Sequence, residues 1–152
     1  GLMIINNEPY LIEYNVRMGD PECQTILPKL KTELVDIFAA CCEGKLDSIN
    51  IEWHDEKSLC IVLCSKGYPD KYENNLPLSN LNKIHLKNNE FIYHAGTKTI
   101  KNEVYSNGGR VLNFVVLSNN FKNSKDKAIQ LIKKLDWHNS YYRRDIGFKV
   151  IE

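Results

Sequence analysis

A net charge of either sign is almost absent: 20 Lys and Arg stand against 19 Asp and Glu, leaving a formal charge of +1 over 152 residues. Such a balance offers neither the basic stripe of a nucleic-acid binder nor the cationic face that seeks a membrane surface. The sequence also lacks an apolar run long enough to span a bilayer, internal repeats and low-complexity tracts, and no secretory leader is expected. The five cysteines, Cys23, Cys41, Cys42, Cys60 and Cys64, are odd in number and match neither a zinc ribbon nor a redox Cys-x-x-Cys. All of them sit in apolar patterns or alone, which predicts reduced core thiols in a cytoplasmic protein. The chain opens with Gly1 and enters the apolar run Leu2-Met3-Ile4-Ile5 at once, so we expect a fragment or a trimmed product.

What is present is enough apolar residue, 43% of the chain, to build a real core. Leu2 to Ile5 and Tyr10 to Tyr14 predict a β-hairpin turned by Asn6-Asn7-Glu8-Pro9. Pro28 limits Pro21 to Leu30 to a short or broken helix. Lys31 to Glu43 carries a one-sided apolar stripe (Leu34, Val35, Ile37, Phe38, Cys41, Cys42) and predicts a helix ended by Gly44. Beyond residue 46, strands are expected over Leu59 to Cys64, Phe91 to Tyr93, Thr97 to Tyr105 and Arg110 to Leu117, with an irregular polar stretch over 70–90. Ser124 is the expected N-cap of a helix reaching Leu135, and Tyr141 to Ile151 is the expected closing strand. The chain thus divides near residue 46 into the edge of something larger and a small α+β domain on an antiparallel sheet.

The chemistry is concentrated in Tyr10 to Glu22, YLIEYNVRMGDPE. Kept extended, this segment places Glu13, Asn15 and Arg17 on one face and Ile12, Tyr14 and Val16 on the other. Carboxylate and amide oxygens suit a hard cation such as Mg²⁺, and a neighbouring guanidinium suits an anion held by that cation. Asp20 and Glu22 follow Gly19 in a loop that could aim them at the same place. The residues alone leave a solvated polar strand face equally open.

In register, residues 1–46 resemble the glycinamide ribonucleotide synthetase block that closes an ATP-grasp domain: Gly1-Leu2-Met3, the Glu-x-Asn-x-Arg core, Gly19-Asp20-Pro21-Glu22 and Leu27-Pro28. Later blocks resemble the same family in order: Gly67-Tyr68-Pro69, His94 to Lys98, Asn107 to Leu112 and Arg144 to Gly147. Met18 departs from the pattern, where an aromatic residue is expected after the arginine. The resemblance implies an α+β chain of two parts, residues 1–46 as the C-terminal edge of an ATP-grasp domain and 47–152 as a small antiparallel-sheet domain with helices.

It further implies ATP-dependent ligation of glycine to 5-phosphoribosylamine through glycyl phosphate, in purine biosynthesis. Glu13 and Asn15 align with the family's metal ligands for Mg²⁺ or Mn²⁺. Arg17 is the implied catalytic residue and shares substrate binding with Asp20 and Glu22. The implied partners are ATP, glycine, 5-phosphoribosylamine and the N-terminal part of the enzyme; no nucleic acid and no membrane is expected. The fragment alone is expected to be inactive. The alternatives are another ATP-grasp carboxylate–amine ligase, or a non-catalytic domain that binds a complementary chain. Lys98, Arg110 and Arg144 stay undecided between substrate contact and structure, as does the Arg143-Arg144-Asp145 cluster between an internal ion pair and a substrate-facing arginine.

Overall fold

The computed structural model describes residues 1–151. The chain begins with the hairpin β1 (Leu2–Ile5) and β2 (Glu8–Leu11), paired antiparallel with Ile5 opposite Glu8. Its turn is tighter than the composition suggested. Asn6 and Asn7 alone carry it, at φ 52° and 65°, because asparagine tolerates the left-handed region that a two-residue hairpin turn needs. Pro9 therefore lies inside β2, where an edge strand can spare its missing N–H. Two helices follow, α1 (Glu22–Ile26) and α2 (Leu34–Glu43), with a 3₁₀ turn at Leu27–Lys29 where Pro28 ends the first. Gly44 closes α2 at φ 68°, as its place after the apolar stripe predicted.

The main sheet is built from β3 (Lys57–Ser65), β4 (Glu90–His94), β7 (Arg110–Ser118) and β8 (Ser140–Tyr141), in the antiparallel order β4-β7-β3-β8. A second hairpin, β5 (Thr97–Ile100) and β6 (Glu103–Ser106), stands beside it. The single strand expected over Thr97 to Tyr105 is interrupted because Lys101 and Asn102, at φ 47° and 67°, form a second tight turn. Helix α3 (Phe121–Leu135) covers one face of the sheet.

Alternation decides which side chains meet α3. Leu59, Ile61 and Leu63 stand opposite Val116, Phe114 and Leu112 in register, and these pack with Ala128, Leu131 and Leu135. Full burial of Phe114 contributes about 1.5–3 kcal/mol. The opposite face buries Cys60, Val115 and Leu117 with Phe91 and Tyr93, and α1 lies against it. A β-bulge between Leu63 and Cys64 shifts the register so that Arg110, not Val111, stands opposite Cys64.

Two expectations need correction, and a third gains detail. The N-cap of α3 is Asn120, whose side chain accepts from the Asn123 N–H at 2.8 Å; Ser124 is buried one turn inside and donates to the Lys57 carbonyl at 2.8 Å. The closing strand is only Ser140–Tyr141, because Gly147 turns the chain at φ 77° and its carbonyl accepts from the N–H groups of Val150 and Ile151. The polar stretch over 70–90 is irregular as expected, yet it is strapped to β6: Asn75 and Leu78 donate to the carbonyls of Ser106 and Val104, and Leu78 is buried. Among the described residues no helix is long and apolar enough to cross a membrane.

Burial is sharply unequal along the chain. Residues 1–18 are exposed throughout, including Ile4, Ile12, Tyr14 and Val16, the last 98% exposed. In α2 only Ala40 is buried, while Val35, Phe38, Cys41 and Cys42 face outward. The expected core role of Cys41 and Cys42 is thus overturned. The helix has its apolar stripe, but among the described residues its main contact is with the 3₁₀ turn Leu46–Ser48 just after it, which leaves Val35 and Phe38 uncovered. Cys60 and Cys64 do lie in the core and Cys23 is half-buried.

Candidate functional site

Beyond Leu11 the chain leaves the hairpin but keeps Glu13, Asn15 and Arg17 on a common face. The Asn15 amide donates to Glu13 Oε1 at 2.9 Å, and Arg17 Nη1 donates to Asn15 Oδ1 at 3.0 Å. Carboxylate, amide and guanidinium form one exposed hydrogen-bonded ladder. The same guanidinium reaches the Met18 carbonyl at 3.4 Å.

Asp20 and Glu22 do not join this ladder. Glu22 turns back to accept from the Gly19 N–H at 2.6 Å, tightening the loop before α1. Asp20 accepts from the Gln24 amide at 2.9 Å and pairs with Arg110 at 2.9 Å. The loop around the cis Asp20–Pro21 bond is thereby attached to the first residue of β7. Glu13 and Asn15 supply two hard oxygens, whose chemistry suits Mg²⁺ or Mn²⁺. Among the described residues there is no grouping of three or more acidic, His or Cys side chains able to hold a metal alone.

The undecided motifs resolve mainly into close backbone packing. A Cβ on Gly109 would run into the Tyr68 ring, and one on Gly96 would stand 2.6 Å from the Arg110 carbonyl. Gly108 and Gly109 turn their carbonyls to Ser65, whose hydroxyl and N–H donate at 2.9 and 2.8 Å. Arg143 grips Asp145 through two hydrogen bonds, at 3.1 and 2.6 Å. This grip raises the Arg143 pKa, and the Arg143 hydrogen bonds hold the Asp145 carboxyl below its usual range. Among the described residues Arg144 and Lys98 make no salt bridge.

Sequence reasoning missed a cavity of about 390 Å³ on the α1 side of the sheet. Val62 and Cys64 line it from β3, Pro21 from the loop before α1, and Tyr68 and Pro69 from the long loop. Arg110 and Arg143 enter it from separate elements. The signal was present in three glycines whose missing Cβ atoms let the turn and the Tyr68 ring close together, but their spacing does not say what they enclose. Burial pushes the Cys60 thiol up to about 12, with the Asp20 charge adding to the rise, and burial likewise raises Cys64 against the pull of Arg110. Both lining sulfurs therefore stay neutral at ordinary pH.

Residues 58–149 match the family model described as phosphoribosylglycinamide synthetase, C domain. The chain belongs to the phosphoribosylglycinamide synthetase family. It is 41% identical over 151 residues to a phosphoribosylamine–glycine ligase of Agrobacterium fabrum, covering 99% of this chain and 35% of that protein. With the Haemophilus influenzae enzyme of the same name the identity is 40%, over 100% of this chain and 35% of the relative. A crystal structure of phosphoribosylamine–glycine ligase from Thermotoga maritima superposes with a TM-score of 0.72 at 29% identity, over 97% of this chain and 36% of that one. The small mixed domain with antiparallel sheets is thus the family's C domain, and the chain spans about a third of the length of the relatives it matches.

Proposed function

We propose that this chain is the C-terminal part of an ATP-dependent ligase that joins glycine to 5-phosphoribosylamine in purine biosynthesis. The observation that carries the reading is the Glu13–Asn15–Arg17 ladder in a chain of this family. Residues 1–46 are the closing edge of an ATP-grasp domain, and 47–152 are the C-terminal domain.

In the complete enzyme the glycine carboxylate attacks the γ-phosphoryl group of ATP, giving glycyl phosphate and ADP. The amine of 5-phosphoribosylamine then attacks the acyl carbon, and phosphate leaves. Glu13 and Asn15 would hold Mg²⁺ or Mn²⁺; such an ion, when bound, neutralises phosphoryl charge that repels the incoming carboxylate. Arg17 binds an anionic oxygen of the reactants, and its hydrogen bond to Asn15 fixes its approach. Asp20 and Glu22 shape the substrate loop beside it, Glu22 through the Gly19 N–H and Asp20 through Arg110.

The remaining length of the enzyme covers the bare apolar surface of β1, β2 and α2. Exposed large apolar side chains in this number, Leu2 to Ile5, Tyr10 to Ile12, Val35 and Phe38, are characteristic of an interface rather than of a solvent-facing surface. Without that cover nothing shields an acyl phosphate from water, so the isolated chain does not catalyse. Its unpaired thiols fit a reducing cytoplasm.

Glycine-dependent ADP release by the complete enzyme tests the reading. Glu13→Gln should lower turnover at least about a hundredfold, as expected for a charged ligand to a catalytic ion. Unchanged turnover at limiting Mg²⁺ removes Glu13 from the metal site. Turnover by the 152-residue chain alone refutes the need for a covering partner.

A further inference from the structure

We propose that the cavity between the sheet and the Tyr68–Pro69 loop receives the phosphate end of a sugar phosphate, with Arg110 and Arg143 as its anion clamp. This rests on the ligase reading, which supplies a phosphorylated sugar among the reactants, and it assigns that substrate a place in the C-terminal domain.

Two guanidiniums reach one cavity from independent elements. Arg110 is set there by the extra residue Val111 in β7, which moves it opposite Cys64, and Arg143 comes from the turn after β8. A guanidinium carries five donors. Arg110 commits Nη2 to Asp20, and Arg143 commits Nε and Nη2 to Asp145. Each carboxylate holds its arginine in orientation and leaves Nη1 for another acceptor. Pre-oriented forks of this kind suit the tetrahedral oxygens of a phosphate monoester.

The remaining walls reject charge and accept a compact body. Val62, Pro21, Pro69 and the Tyr68 ring are apolar or aromatic, and the Cys60 and Cys64 thiols are neutral. Among the described residues no carboxylate lines the cavity: Asp20 and Asp145, which pair with its two arginines, are not part of the lining. A volume of about 390 Å³ lies at the small end of ligand cavities, suited to a pentose phosphate more than to a nucleoside triphosphate. Asp20, in the loop that follows the Glu13–Arg17 ladder, pairs with Arg110 and so ties this cavity to the proposed catalytic edge.

Ribose 5-phosphate, titrated into the chain and followed by NMR, is the test. It should saturably shift the Arg110 and Arg143 side-chain N–H signals. Binding should be tighter than that of ribose, inorganic phosphate or ATP. Arg110→Ala and Arg143→Ala should each weaken it about tenfold, as for loss of one charge-assisted contact. Both arginines are well exposed, at 43% and 64%, so the variants should keep the parent's backbone spectrum. Arg144→Ala, outside the cavity lining, should bind as the parent does. The proposal falls if no saturable shift occurs, if ATP binds the same residues more tightly, or if Arg144→Ala abolishes binding while Arg143→Ala does not. Absence of ligase activity in the complete enzyme, with ribose 5-phosphate still bound here, would reject the ligase reading and leave the subsite standing.

Discussion

Asp20 Oδ2 lies 2.9 Å from Arg110 Nη2, an ion pair that joins the loop before α1 to the start of β7. The two side chains are 49% and 43% exposed, so solvent screens the attraction. A double-mutant cycle of Asp20→Asn and Arg110→Ala should give a coupling of about 0.2–1 kcal/mol in denaturant unfolding, shrinking as salt is raised. A coupling that is large and insensitive to salt would contradict the exposed geometry.

The bare face of α2 leads to a different expectation. Phe38 is 59% exposed and Val35 is 69% exposed, so Phe38→Ser should leave the unfolding midpoint of the chain almost unchanged. The same substitution should reduce self-association of the isolated chain, measured by sedimentation, and should impair the complete enzyme. A large loss of stability in the isolated chain would show that Phe38 packs internally.

The sheet core behaves oppositely. Phe114 is fully buried between β3 and α3, and Phe114→Ala should cost about 3–5 kcal/mol through the cavity it leaves. Asn120→Ala removes the side-chain cap of α3 and should cost about 1 kcal/mol by chemical denaturation. Equal effects of the two would place Phe114 outside the main core.

Thiol reactivity separates the cysteines. At pH 8, Cys41 and Cys42 should be labelled rapidly by a disulfide reagent, while Cys60 should react only on unfolding. Burial raises Cys60 in the folded state from 9.0 to about 12. Its neutral form is thus favoured by folding: the contribution is fully present below pH 9.0 and is lost as pH rises toward about 12. Cys60→Ala should flatten that alkaline fall in stability, and an unchanged alkaline profile would count against the buried thiol as its source.

Much of the local structure was legible. The Asn6–Asn7 pair, Gly44 and Pro28 act through backbone sterics of a few residues, so the first hairpin, helix end and helix break follow from neighbours alone. The Glu13–Asn15–Arg17 face was legible for the same reason, since alternation along an extended segment needs no distant partner. Ser124 misled because a hydroxyl near a helix start is a cap or a core contact according to what lies opposite. Here the Lys57 carbonyl lies opposite.

The sequence by itself determined the family, the apolar stripe of α2 and the strands of the core, all of which are encoded by residue type and spacing. Only the tertiary structure decided that the α2 stripe and its Cys41–Cys42 pair lie bare, that Asp20 turns to Arg110 rather than to Arg17, and that Arg110 and Arg143 share a cavity. Burial, ion pairing and enclosure are relations between segments far apart in the chain. They are fixed by how β3, β7 and the long loop close on one another, and a one-residue bulge is enough to choose which side chain faces the cavity.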